Sequence, residues 1–291
     1  YAIISVLAVL IISYIMGLYL FTSLSIIMSL GTSTAIVLIS IPVVYAFKYI
    51  KENREKRIVE RDKITLMNLF DRYVSPDVAE LIWSNKDKIK LSGEKLKATV
   101  LFSDIRGFTT ISENSDPEDL LKMLNEYFED MAKIIYENNG NLNKFIGDGL
   151  MVLYGVPLSA GSIEQDAYNA ISSSIKMLDA VTKLNKKWKN KYKEIKIGVG
   201  IHTGELIVGN IGSSKRMEYS ALGDTVNLSS RLEGLNKEFD TRIIVSEDTY
   251  DIVKDKFNFK YLASKKVKGR EKEVNIYTIE QKKEEKNENK S

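Results

Sequence analysis

Two aspartates carry the chemistry this chain could do. Asp104 lies in Phe102-Ser103-Asp104-Ile105-Arg106-Gly107-Phe108-Thr109, and Asp148 in Lys144-Phe145-Ile146-Gly147-Asp148-Gly149. Each follows a short apolar run that reads as a strand, and each is followed at once by a turn. A carboxylate at a strand end can reach a cation at the sheet edge. Two of them can bridge a pair of hard divalent ions, the arrangement used to displace a phosphoryl oxygen in line.

The turn after Asp104 adds a second element. Ile105, Gly107, Phe108 and Thr109 lead from the strand toward a helix, and a glycine there lets backbone N–H groups approach a polyphosphate. Metals beside a phosphate-binding turn point to nucleoside triphosphate chemistry. Taken singly, Asp104 reads as a helix cap and Asp148 as a hairpin-tip residue. The pairing gives them a joint meaning.

Composition removes the alternatives. Among the 291 residues there is no cysteine, which excludes disulfides, thiolate zinc sites and cysteine nucleophiles. The single histidine, His202, makes a histidine-rich metal site impossible and reads as a packed or solvated residue. A net charge of +3 is small for this length and does not suggest a nucleic-acid partner.

The elements that must position the acids follow an unusual start. Residues 1–47 contain no charged side chain. A membrane span needs about 20 residues, so this stretch fits two transmembrane helices joined near Thr22-Ser23-Leu24-Ser25. Gly31-Thr32-Ser33 is a poorer break, because it leaves too little chain for a second span. Lys48, Lys51, Arg54, Lys56, Arg57 and Arg61 follow directly, which predicts a cytoplasmic location for everything beyond. The chain opens on Tyr1 rather than methionine, and a preceding segment is expected.

Residues 48–72 read as a charged helix, Ser75-Pro76-Asp77 as a helix start, and Lys86 to Lys97 as a polar connector. Ala98 to Phe102 is a buried strand by length. Asp116-Pro117-Glu118 opens an amphipathic helix that Asn138-Asn139-Gly140 stops. Asn141 to Ile146 and Leu150 to Tyr154 flank a hairpin tip. A long helix from Ile163 to Trp188 precedes strands at Ile195 to Ile201 and Leu206 to Val208. A helix over Thr225 to Leu235, with Asp224 as its cap, precedes strands at Arg242 to Val245, Phe257 to Leu262 and Val274 to Ile279. The order β-α-β-β-α-β predicts an α+β fold around a ferredoxin-like split unit.

Phe102 to Thr109, Asn143 to Met151 and Met217 to Leu232 together resemble the three signature stretches of the class III nucleotidyl (adenylate/guanylate) cyclases. The similarity runs from about Ala98 to Ile279. Together with the composition, it divides the chain into four segments: two transmembrane helices over 1–47 and a helical signalling linker over 48–94, read from apolar and charged patterning, a catalytic domain over 95–280, which the resemblance implies, and a disordered charged tail over 281–291, read from its Lys, Glu and Asn content. It also implies a homodimer, because in that family two protomers pair head to tail and share each site.

Matched position by position to that family, Asp104 and Asp148 would ligate two divalent ions, Mg2+ or Mn2+, with the Ile105 carbonyl adding a ligand. Lys144 and Ser220 would read the purine. Asn227 would orient the ribose. Arg231, four residues on and so on the same helix face, would neutralise the α-phosphate in the transition state. Lys268 would grip the departing pyrophosphate. The reaction implied is attack of the ribose 3′-hydroxyl on the α-phosphorus, giving a cyclic 3′,5′-monophosphate.

Base choice has a physical reading. Adenine offers an acceptor at N1 and a donor at N6, and guanine offers the reverse. Lys144 is donor-only and suits adenine N1; Ser220 can accept from N6. The family's adenine readers more often carry aspartate or threonine at the Ser220 position, and a hydroxyl can also donate. ATP is the expected substrate, with a guanylate cyclase as one alternative. A catalytically inactive nucleotide-binding membrane receptor is another, which the complete set of Asp104, Asp148, Asn227 and Arg231 argues against. A diguanylate cyclase fails on its missing Gly-Gly-Asp/Glu-Glu-Phe signature.

Overall fold

The computed structural model describes residues 2–24, 30–70, 93–189, 191–213, 216–267 and 273–280. They fall into two compact units, Tyr1–Phe70 and Asp71–Ser291.

The first unit is helical, with α1 over Ala2–Leu24 and α2 over Leu30–Phe70. Large apolar side chains point outward along both, among them Leu7, Ile12, Tyr19, Leu38 and Phe47. Helix α2 runs unbroken through Gly31-Thr32-Ser33 and continues past Phe47 into the charged segment. There Lys48–Glu52 and Lys51–Glu55 ion pairs span one turn each. Such exposed pairs add only a few tenths of a kcal/mol. Among the described residues no helix is long and apolar enough to cross a membrane.

The second unit is built on an eight-stranded mixed sheet. Its elements are β1 (Gly93–Ile105), α3 (Phe108–Glu113), α4 (Pro117–Glu137), β2 (Asn141–Ile146), β3 (Gly149–Tyr154), α5 (Ile163–Lys187), β4 (Ile197–Ser213), β5 (Arg216–Leu222), α6 (Asp224–Phe239), β6 (Ile243–Ser246), α7 (Glu247–Val253), β7 (Phe259–Lys266) and β8 (Glu273–Ile279). The strand order is β2-β3-β1-β4-β6-β8-β7, with β5 paired to β4. The β2-β3-β1-β4 half is antiparallel throughout and forms the expected split β-α-β-β-α-β unit.

Local chemistry explains the elements that match expectation. The Asp116 side chain accepts from the Glu118 and Asp119 backbone amides and Pro117 sits at the first turn, so α4 starts where a cap and a proline coincide. Its inward stripe of Met123, Tyr127, Met131 and Ile135 packs with α5 on one face of the sheet, over Leu101, Ile105, Val152 and Val199. Alternate residues of the same strands, Ala98, Val100, Met151 and Leu153, point to the other face. Helix α6 lies on that second face. Its Ser229 hydroxyl shares one proton between the carbonyls of Val100 and Gly200, and the Asn236 amide donates to the Val199 carbonyl.

Several expectations need correction. Strand β1 begins at Gly93, within the residues read as linker, because Gly93 to Lys97 pair with Glu205 to Gly209. The two strands expected over Ile195 to Ile201 and Leu206 to Val208 are one continuous β4, since β1 pairs along its full length. Strand β5 and helix α7 were not expected, although α7 carries a cap signal: Ser246 accepts from the Thr249 amide ahead of Glu247 and Asp248. Asp224 is the first helical residue of α6, and Gly223 holds the cap position without a side-chain bond. The helix start at Ser75, Lys268 and the tail from Gln281 lie outside the described residues.

Candidate active site

Asp104 continues the Ala98, Val100, Phe102 alternation and so faces the side of the sheet that carries α6. Asp148 stands in the turn between β2 and β3, where Gly147 adopts a φ of 63°. Strand β3 pairs with β1, Leu150 opposite Ser103, and this brings the turn against the end of β1. The Ile105 N–H donates to Asp148 Oδ2 at 3.1 Å, which clamps the second acid beside the first. Gly149 makes the approach possible: a Cβ there would lie 3.0 Å from the Ser103 carbonyl oxygen and 3.2 Å from Asp104 Oδ1.

The two carboxyl groups lie within hydrogen-bonding reach of each other. Burial first, then the Asp148 carboxyl group, then the charge of Glu233 push the pKa of Asp104 up to about 7. Glu233 itself is raised, by burial and by Asp148, against the lowering effect of Arg106. Arg106 Nη1 lies 3.7 Å from Glu233 Oε1, while Arg106 Nη2 is buried without a partner among the described residues. Acids crowded this closely form a site that favours added positive charge.

That charge fits a hard cation. Among the described residues no group of three or more His, Cys, Asp or Glu side chains gathers around one point. The donors are therefore two carboxylates and nearby backbone oxygens, with no nitrogen or sulfur. Such a set suits Mg2+ or Mn2+, which bind through one or two carboxylates and complete their shell with water and substrate phosphate.

Gly107, with φ +67°, caps the N-terminus of α3, and no heavy atom lies within 4 Å of the position its Cβ would take. Phe108 and Thr109 begin α3 immediately after it. The turn thus borders open space next to the acid pair.

A second cluster forms around β2 and β5. Lys144 Nζ lies 2.6 Å from Glu218 Oε1. Ser220, only 6% exposed, donates its hydroxyl proton to Asn143 Oδ1 at 3.1 Å. The Asn143 amide donates to the Tyr219 carbonyl at 2.9 Å. Lys144 and Ser220, 76 positions apart in sequence, are thereby brought to one region.

Asn227 and Arg231 lie on α6, Asn227 exposed and Arg231 half-buried with an Nη1 that has no partner among the described residues. The charged groups that raise Asp104 are Asp148 and Glu233. His202 is buried, with Nδ1 2.7 Å from the Ser246 hydroxyl, and takes the packed role expected. Glu233 and Asn143 were missed as contributors. Their sequence neighbours Arg231 and Lys144 were the nearest signals.

Residues 92–281 match the adenylate and guanylate cyclase catalytic domain. The chain belongs to this family. It is 33% identical over 183 residues to adenylate cyclase 1 of Rhizobium meliloti, covering 63% of this chain. It spans 27% of the length of that relative. The adenylyl cyclase CyaB from P. aeruginosa superposes with a TM-score of 0.62 at 36% identity, covering 67% of this chain and 98% of that one. The guanylyl cyclase Cya2 superposes with a TM-score of 0.58 at 34% identity, over 65% and 94%. The cyclase fold of the second unit is thus shared with enzymes of both base preferences.

Proposed function

We propose that this protein is an adenylate cyclase that converts ATP to 3′,5′-cyclic AMP and pyrophosphate at composite sites of a homodimer. The observation that carries the reading is the acid pair, Asp148 held on the Ile105 N–H beside an Asp104 whose pKa is raised. The donor-only Lys144 gathered with Ser220 supports adenine. Comparison alone leaves the base open, since adenylyl and guanylyl cyclase structures match at 36% and 34% identity.

Asp104 and Asp148, with the Ile105 carbonyl, would hold two divalent ions, Mg2+ or Mn2+. When bound, these supply Lewis acidity to the 3′-hydroxyl and the phosphates. The chain's own groups do the rest. The backbone of Gly107, Phe108 and Thr109 borders the polyphosphate. The partner's Lys144 donates to adenine N1 and the partner's Ser220 accepts from N6. The partner's Asn227 orients the ribose, and the partner's Arg231 meets the charge that develops on the α-phosphate. The 3′-hydroxyl loses its proton to water, the O3′–Pα bond forms, the bond from Pα to the bridging oxygen breaks, and pyrophosphate leaves, its charge the expected target of Lys268. Arg231, whose Nη1 has no partner among the described residues, fits a role in the other protomer's site.

The N-terminal unit is proposed to anchor the enzyme in a membrane with the catalytic domain on the cytoplasmic side. The uncharged stretch 1–47, the outward apolar side chains of α1 and α2, and the basic flank from Lys48 support this. The helix beyond residue 48 is suited to relay a signal between the two units.

The direct test incubates the full chain in detergent with ATP or GTP and Mg2+ or Mn2+, and measures cyclic product. Cyclic AMP formed well in excess of cyclic GMP is expected. Equal turnover of both nucleotides, or none, overturns the assignment. Release from membranes by carbonate at high pH would overturn the anchor.

A further inference from the structure

We propose that Asn143 sets the base selectivity of the purine pocket by fixing Ser220 as a hydrogen-bond acceptor, an inference that rests on the adenylate cyclase reading above. A serine hydroxyl carries one proton and two lone pairs. Left to rotate, it would donate to guanine O6 as readily as it would accept from the adenine N6 amino group. Asn143 removes that freedom.

The orientation of the Asn143 amide is settled by its surroundings. Its Nδ2 donates to the Tyr219 carbonyl at 2.9 Å. A flipped amide would set Oδ1 against that carbonyl oxygen, two acceptors with no proton between them. Oδ1 therefore faces Ser220 and receives the hydroxyl proton at 3.1 Å. With its one proton engaged, Ser220 has only lone pairs left for a ligand.

The backbone explains how Asn143 reaches so far. The β2–β3 register pairs Leu142 with Val152 and then Lys144 with Met151, so Asn143 is the extra residue of an irregularity. Such a residue is unpaired and turns its side chain out of the ladder. Here it meets β5. The next residue, Lys144, reaches Glu218 at 2.6 Å, and Glu218 shares a face of β5 with Ser220 by strand alternation. One irregularity thus sets a donor-only ammonium beside an acceptor-only hydroxyl. That pattern matches N1 and N6 of adenine and opposes the N1–H and O6 of guanine.

The test compares kcat/KM of the full-length protein for ATP, GTP and inosine triphosphate. Inosine triphosphate shares N1–H and O6 with GTP but lacks the 2-amino group, so it isolates the ring edge that Ser220 reads. The wild type is expected to favour ATP over inosine triphosphate. Asn143→Ala is expected to narrow that ratio by about tenfold, with the change mainly in KM, the scale of one mispaired buried hydrogen bond. Adding Ser220→Asp to Asn143→Ala is expected to restore the ratio, because a carboxylate accepts whatever its neighbour. A merely structural role would depress all three nucleotides alike and would not respond to Ser220→Asp. Should Asn143→Ala fail to fold, Ser220→Ala decides the matter, because it removes the acceptor and must narrow the ratio. A wild-type preference for ATP that Asn143→Ala or Ser220→Ala leaves untouched overturns this inference alone. A wild type that prefers GTP, or makes no cyclic product, overturns the adenylate cyclase reading and this inference with it.

Discussion

Lys144 and Glu218 form an ion pair of 2.6 Å within a single protomer, across strands β2 and β5. The proposed purine reader therefore already has a partner in the same chain. A purine N1 must compete with Glu218 for the ammonium protons or share them. The pair is partly exposed, Glu218 at 56%, so its strength is at most about 1 kcal/mol.

Glu218→Gln is accordingly expected to lower KM for ATP by up to about fivefold with kcat unchanged, since only ground-state competition is removed. Steady-state kinetics on the full chain check this. A rise in KM would show that Glu218 holds Lys144 in place for the base.

The raised pKa of Asp104 makes stability depend on pH. Its folded-state pKa, about 7, lies above its ordinary value near 3.8, so the folded chain holds that proton more tightly than the unfolded chain. The stabilisation is complete below pH 3.8 and is lost as pH rises through 7. Without divalent ions the Tm of wild type should fall between pH 5 and pH 8 relative to that of Asp104→Asn, which has no such titration. Adding Mg2+ or Mn2+ at pH 8 should raise the wild-type Tm and leave the variant nearly unmoved. Thermal melts over the pH series, with and without metal, decide it.

Shared sites predict complementation. Asp104→Ala and Arg231→Ala should each be inactive alone. Mixed as equal monomers and allowed to pair, half of the dimers are mixed and each has one intact site, so about a quarter of wild-type activity should return. No recovery in a mixture shown to contain mixed dimers would refute sites built from two chains.

Gly149→Ala should damage activity more than stability. The added Cβ would press on the Ser103 carbonyl at 3.0 Å and on Asp104 Oδ1 at 3.2 Å. A displacement of this kind near the reacting groups costs up to about a hundredfold in rate. Cyclic AMP production should fall by roughly ten- to a hundredfold while the far-UV circular dichroism spectrum is kept.

Much of the fold could be read from local chemistry. The start of α4 depends on Asp116 and Pro117, two adjacent residues, and the β2–β3 hairpin on glycines flanking Asp148. The strand ending at Asp104 is a run of apolar residues whose burial needs no distant partner to be recognised. The unread parts depend on pairing. Strand β4 passes through Gly204 because β1 lies alongside it as far as Gly209, and it runs on to Ser213 because β5 pairs with its far end.

By itself, the sequence determined the chemical inventory: two acids after apolar runs, a donor-only lysine, an asparagine and arginine four residues apart, and the family to which these belong. Only the tertiary structure decided how they meet. It set Asp148 on the Ile105 N–H, brought Glu233 into the field of Asp104, and placed Asn143 against Tyr219 and Ser220. The physical reason is that residue type and short-range spacing fix what a side chain can donate or accept. Strand register, and here one unpaired residue in β2, fixes which distant group it faces.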